Sequence, residues 1–192
     1  MTMRLSLALL ALTVSAGAHA EPFEFRQSGT LKIDDAAARG ATLRVVCSPD
    51  PDGGALSIEL VVSEANTRKD FDYDDFEGPD AAAASKALSR LSWTSAAGPT
   101  EITIAAGGWY VPDPPEAFTF AVSQLSHHRE PPAHLLLSVT GAAGVFAWTQ
   151  TAFDASKRRL VATFDLDAAA AERLHTAAVR CLPINSPMNP GR

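Results

Sequence analysis

Cys47 and Cys181 are the only two cysteines of the chain, and the segments around them constrain the fold more than any other feature. The residues of Ala41–Cys47 alternate, so that Leu43, Val45 and Cys47 share one face, which is the period-2 pattern of a half-buried strand. Cys181 ends a helical segment, Ala168–Cys181, in which apolar residues recur at spacings of three and four, and it lies on the apolar face. Both thiols are therefore expected to face the core.

We predict a disulfide bond between Cys47 and Cys181, because two core-facing thiols are the expected ends of a bridge in an exported protein, and the N-terminal residues described below predict export. The bond would fasten a C-terminal helix to an N-terminal strand across 133 intervening residues. On the chain-entropy model, so long a loop stabilises the folded state by about 5 kcal/mol. The alternative is a pair of unbridged buried thiols. A redox or nucleophilic cysteine is disfavoured, because the chain has no C-x-x-C pair.

The N-terminus predicts export. Arg4 supplies a positive charge, residues 5–14 form a short apolar stretch, and Ala18-His19-Ala20 places small residues at −3 and −1 of a cleavage site before Glu21. Residues 1–20 are therefore interpreted as a secretory signal peptide, which is too short to span a membrane. We expect the protein in the periplasm or outside the cell, with no membrane span after cleavage.

The mature chain is expected to be one β-rich domain, residues 21–182, followed by a flexible tail over 183–192. Cleavage leaves 172 residues, enough to bury roughly 70% of the surface that the unfolded chain exposes. Without the leader, 15 Lys and Arg residues stand against 22 Asp and Glu, a net charge of −7. This acidic balance and the absence of basic runs argue against nucleic acid and anionic membranes as partners.

Alternating apolar residues predict eight to ten short strands with mostly antiparallel pairing. The clearest pair is a hairpin of Ala41–Ser48 and Ala55–Glu64, joined by a turn rich in proline, aspartate and glycine. The other predicted strands are Pro22–Gln27, Thr30–Ile33, Leu91–Ser95, Thr100–Ala105, Ala117–Ser123, His134–Thr140, Val145–Thr151 and Arg159–Asp165.

Two helices complete the prediction. A middle helix should follow Gly78-Pro79 with an apolar stripe of Ala84, Leu88 and Leu91, and the C-terminal helix should be capped by Asp165 or Asp167. We therefore predict a mainly β, sandwich-like fold with one middle and one C-terminal helix. An α+β fold is the alternative.

The densest acidic cluster of the chain extends from Asp70 to Asp80. Carboxylates at alternate positions suggest a calcium loop, but Asp75 stands where the EF-hand loop needs glycine, and Ala81 stands where it needs glutamate. The pattern favours an edge strand with solvated carboxylates, in which Phe71 and Tyr73 are buried and Phe76 is a further candidate.

His127, His128 and His134 suggest a metal-binding loop, because neutral imidazoles bind zinc and copper well. Their spacing matches no metal motif, and a solvated loop is the alternative. Trp109 and Tyr110 lie in a Gly/Pro-rich segment, 107–116, that predicts an irregular interaction loop, since aromatic residues are favoured at interfaces. The alternative places Trp109 as a lid over the end of the fold.

The chain contains no Gly-x-Ser-x-Gly elbow, no Ser-x-x-Lys pair and no glycine-rich phosphate loop. We therefore expect no enzyme activity and no cofactor. The leading hypothesis is an exported, non-enzymatic binding domain that contacts another protein at the bacterial cell envelope. A periplasmic metal-binding protein that uses the histidine loop is the second hypothesis, and a hydrolase without a recognisable motif is the third.

Overall fold

The computed structural model describes residues 22–48, 55–65, 69–112, 116–125 and 131–181. The predicted signal peptide, the turn over 49–54 and the predicted tail lie outside these residues. In chain order the elements are β1 Phe23–Ile33, β2 Arg39–Ser48, β3 Ala55–Ser63, β4 Ser89–Ser95, β5 Gly98–Ile104, β6 Gly107–Val111, β7 Ala117–Leu125, α1 Pro131–Leu137, β8 Gly144–Thr151, β9 Arg159–Leu166 and α2 Ala168–Cys181.

Within the described ranges, nine strands form a single curled antiparallel sheet with the shape of a half-barrel. Its strand order is β5-β4-β8-β9-β1-β2-β3-β7-β6. The prediction of a mainly β, mostly antiparallel fold with two helices is confirmed. The face that a second sheet would cover in a sandwich is covered here by the helices, since α2 contacts β1, β2, β3 and β9, and α1 contacts β5 and β7.

The predicted hairpin is confirmed as β2 and β3, which pair antiparallel from Ala41 with Val62 to Ser48 with Ala55. Leu43, Val45 and Cys47 are fully buried, as their alternation predicts. The fully buried apolar face specifies the register strongly, because a slip of one residue would turn every one of its apolar side chains outward.

β1 is one continuous strand where the sequence predicts two short ones. A Cβ atom at Gly29, in the predicted gap, would lie 2.3 Å from Cδ1 of Phe164 and 2.3 Å from the carbonyl oxygen of Thr163. Gly29 therefore permits the buried Phe164 ring to lie directly against the β1 backbone. The strand leaves β2 and joins β9 near this point, since β2 pairs with it as far as Leu31 and β9 from Thr30 onward.

α2 is confirmed with the predicted bounds, and of the two predicted caps the structure shows Asp167. The Ala170 N–H donates to Oδ1 of Asp167 at 2.7 Å, which satisfies one of the free N–H groups in the first turn. Ala171, Leu174 and Ala178 are fully buried against the sheet. None of the helices in the described part of the chain is long and apolar enough to cross a membrane.

The predicted middle helix after Gly78-Pro79 is wrong. The segment forms consecutive turns, in which the N–H groups of Ala84 and Lys86 donate to carbonyls three residues earlier. Leu91, the third member of the predicted stripe, belongs to β4 and pairs with both β5 and β8. Strand pairing on both sides therefore overrides the helical spacing.

The predicted strand over 134–140 is also wrong, because these residues continue α1 and the turn after it. Pro131 and Pro132 lie in the first helical turn, where proline is favoured because its missing N–H has no partner there. Leu135 and Leu136 are fully buried. The middle helix of the fold thus lies about fifty residues later than predicted, and β8 pairs with β4 and β9 instead of with this segment.

Candidate functional site

Trp109 and Tyr110 lie on strand β6 and point to opposite faces of the sheet. The loop predicted over residues 107–116 is therefore wrong for 107–111, which pair antiparallel with β7. Trp109 is 43% exposed, whereas the half-buried Tyr110 ring packs edge-on against Phe118 with a centroid distance of 5.0 Å. Because side chains alternate along a strand, the two aromatics do not form one contact surface.

Tyr110 fastens β6 to the acidic segment, 69–77. Its hydroxyl donates to Oδ1 of Asp74 at 2.8 Å. Burial, then the hydrogen bond to Asp74 and the charges of Asp74, Glu77 and Asp72, raise the pKa of Tyr110 above its ordinary value. The phenol therefore remains protonated and keeps its role as a donor.

The backbone of β6 is held from both sides at Gly108. On one side, β7 pairs with it in the sheet. On the other side, Glu77 forms a parallel bridge with Gly108, and the Gly78 N–H donates to the Gly108 carbonyl at 2.9 Å. A Cβ atom at Gly108 would lie 2.4 Å from Cε1 of Phe118 and 2.7 Å from the carbonyl oxygen of Thr119. Glycine is required there by close packing, which explains why the segment resembles a loop in sequence.

Replacement of Gly108 by alanine is expected to destabilise the protein by about 1–3 kcal/mol, because the Phe118 ring and the β7 backbone must move. Gly107→Ala is the matched control, since nothing lies within 4 Å of a Cβ atom at Gly107. Its effect should stay within about 0.5 kcal/mol. Urea unfolding of both variants measures this difference, and equal effects would contradict the packing.

The acidic segment is anchored to the sheet by its aromatic residues. Phe71, Tyr73 and Phe76 are buried, as the edge-strand interpretation predicts, although the backbone forms bends and a 3-10 turn, Asp74–Phe76, instead of a strand. The Phe120 ring lies 5.3 Å from Phe76 and 6.1 Å from Phe71. Burial of the rings leaves the intervening carboxylates at the surface.

A cleft of about 430 Å³ separates the acidic segment from β6 and from the turn over residues 152–158. The charged side chains that line it are Asp70, Asp72, Asp74, Asp154, Lys69 and Arg158. Asp70 accepts a hydrogen bond from Arg39 at 2.7 Å, and its carbonyl accepts one from Arg158 at 2.9 Å. Four carboxylates against two cations make the cleft acidic.

Carboxylates crowd one another around Asp75, beside this cleft. Burial first, and then the charges of Asp72, Asp154 and Asp74, raise the pKa of Asp75 above its ordinary value. The exposed Asp154 behaves in the opposite way, because the hydrogen bond from the Ser156 hydroxyl lowers its pKa. Asp154 therefore stays ionised at neutral pH and adds to the repulsion on Asp75.

Asp75→Asn is expected to stabilise the protein at pH 7 by a few tenths of a kcal/mol to about 1 kcal/mol, the range for surface charge pairs. A raised folded-state pKa means that ionised Asp75 costs stability above that pKa, and that the cost disappears as pH falls through it. The difference between variant and wild type should therefore shrink from pH 7 to about pH 4. Thermal unfolding at both pH values measures it, and a variant less stable than wild type at pH 7 would contradict the repulsion.

A second charged cluster lies on the outer face of the sheet, on β1, β2 and β3. The Arg44 guanidinium donates to Glu24 at 2.5 Å and to Glu59 at 3.0 Å, and Arg26 also donates to Glu24. Burial opposes the shift, but the hydrogen bonds and charges of Arg26 and Arg44 hold the pKa of Glu24 below its ordinary value. The Glu59 side chain is only 7% exposed, so Arg44 compensates an otherwise buried charge.

The histidine hypothesis is not decided by the structure. His134 is exposed on α1, whereas His127 and His128 lie outside the described residues. Among the residues that the structure describes, no three His, Cys, Asp or Glu side chains are grouped so that they could hold a metal ion. The predicted site at His127, His128 and His134 remains a hypothesis.

Cys47 is fully buried on β2, and α2, which ends at Cys181, packs against β2. The side chain of Cys181 is outside the described part of the structure. The two elements are thus neighbours, as the predicted bridge requires, and the bond itself stays a prediction.

The sequence analysis did not predict that the turn over residues 152–158 lines the cleft. Arg158 donates to the carbonyl of Asp70, which lies 88 positions earlier in the sequence. Asp154 is similarly far in sequence from Asp75, yet its charge lies close enough to raise the pKa of Asp75. The only local signal is the Asp154-Ala155-Ser156 turn, in which the Ser156 N–H donates to Asp154 at 2.9 Å. Such a turn gives no indication of what it faces.

Comparison of the chain with models of known protein families, with curated proteins and with solved structures found no match.

Proposed function

We propose that this chain is an exported, non-enzymatic binding domain that contacts another protein at the bacterial cell envelope, and that Trp109 is central to the contact. The observation that carries the proposal is the exposed Trp109 side chain on a strand held firmly on its other face. Of the described residues, it is the most exposed large hydrophobic side chain. Export and the Cys47–Cys181 bond belong to the proposal, supported by the signal-like leader and by the packing of α2 on β2.

The physical argument is preorganisation. Tyr110, bound to Asp74 and packed on Phe118, and Gly108, bound to Gly78, hold the backbone on either side of Trp109. A partner would not have to order this strand, so little conformational entropy would be lost when the indole is covered. Large aromatic residues on such surfaces supply much of the binding energy at protein interfaces.

The outer face beside Trp109 carries small or apolar side chains. Thr119 lies opposite Trp109 on β7 and is almost fully buried, and Val61 follows it on β3 and is half-buried. Gly107 and Ala121 form the adjacent pair and add little bulk. The indole therefore has small or apolar side chains beside it, and none of those named here is charged.

Trp109→Ala is expected to weaken partner binding by about 30-fold or more, the effect of losing a hot-spot residue. Stability should fall by about 1–2 kcal/mol, because more than half of the Trp109 surface is buried against the fold. Mature protein purified from the periplasm, with Glu21 as its N-terminus, would be immobilised and incubated with envelope extract. Captured proteins would be identified by mass spectrometry, and affinity measured with the purified partner.

Val145→Ala is the matched control, since Val145 is 37% exposed and lies on β8, which five strands separate from β6 in the sheet order. Support requires one protein that wild type and Val145→Ala retain and that Trp109→Ala loses although circular dichroism shows the variant to be folded at the temperature of the binding experiment. Equal retention by both variants would refute a role for Trp109, and an N-terminus at Met1 would refute export. The metal-binding and hydrolase hypotheses stay open, because no described contact favours either.

A further inference from the structure

We draw no further inference here: the strongest candidate, the cleft of about 430 Å³ between the acidic segment, β6 and the turn over residues 152–158, rests on a cluster of acidic side chains, and nothing in the described residues shows what would occupy it.

Discussion

Replacement of Phe120 by alanine is expected to destabilise the protein by about 3–5 kcal/mol, the range for truncating a buried aromatic residue. The Phe120 ring is fully buried and lies 4.8 Å from Phe118 and 5.9 Å from Tyr73, as well as against Phe71 and Phe76. These neighbours belong to two separate segments, β7 and the acidic segment. Because the interior is closely packed, they cannot shift together to fill the cavity that the variant would leave. Thermal and urea unfolding measure the loss, which corresponds to about 2–4 °C in melting temperature per kcal/mol.

The variant should also loosen the acidic segment before the rest of the fold. Amide exchange at Phe76 and Glu77, whose N–H groups bond within the 3-10 turn, should accelerate more than exchange in the β2–β3 hairpin. Phe23→Ala is the control, because Phe23 is only half-buried at the start of β1 and should cost less. If both variants lost equal stability, or if exchange in the acidic segment were unchanged, Phe120 would not be its anchor.

Local alternation predicted the parts of this fold in which the apolar face of a strand is fully buried and most residues of the other face are half-buried or exposed. β2, β3 and β9 are of this kind, and Leu43, Val45 and Leu56 are buried as expected. The period-2 signal arises from the burial itself, so it survives without knowledge of the neighbouring strands. The C-terminal helix was predicted for the same reason, since its stripe of alanine and leucine has a period close to 3.6.

Glycine and proline misled the prediction where their roles depend on distant residues. Glycine stands at strand position 108 because the Phe118 ring occupies the space that a side chain would need. Phe164 occupies the corresponding space at Gly29. Pro131 and Pro132, which locally suggest a loop, lie in the first turn of α1. Each position follows ordinary steric rules, but the neighbouring atoms that determine the outcome belong to residues distant in the sequence.

Only part of the candidate site could be predicted from the sequence, for a related reason. The exposure of Trp109 follows from strand alternation once 107–111 is known to be a strand, but its Gly/Pro neighbours concealed that fact. The partnership of Tyr110 with Asp74 joins residues 36 positions apart. No periodicity encodes such a contact, because one hydrogen bond requires one pair of residues and leaves no repeat to detect.

Removal of the predicted disulfide, by Cys47→Ala with Cys181→Ala, is expected to cost about 2–5 kcal/mol under oxidising conditions. The bond would act mainly on the unfolded chain, by closing a loop that is otherwise free to open, so most native contacts should survive in the variant. Intact mass and a free-thiol count on protein recovered from a periplasmic fraction test the bond directly: no free thiols and a mass about 2 Da below that of the reduced chain are expected.

The truncations also remove buried atoms, so the variant alone does not isolate the bond. Reductant added during unfolding and refolding separates the two effects, because it should lower the stability of wild type and leave the double variant unchanged. Two free thiols in the native protein would show that α2 is held only by its apolar face, where Leu174 and Ala178 are buried against the sheet. In that case stability would be independent of reductant, and the constraint between the first strands and the last helix would come from packing alone.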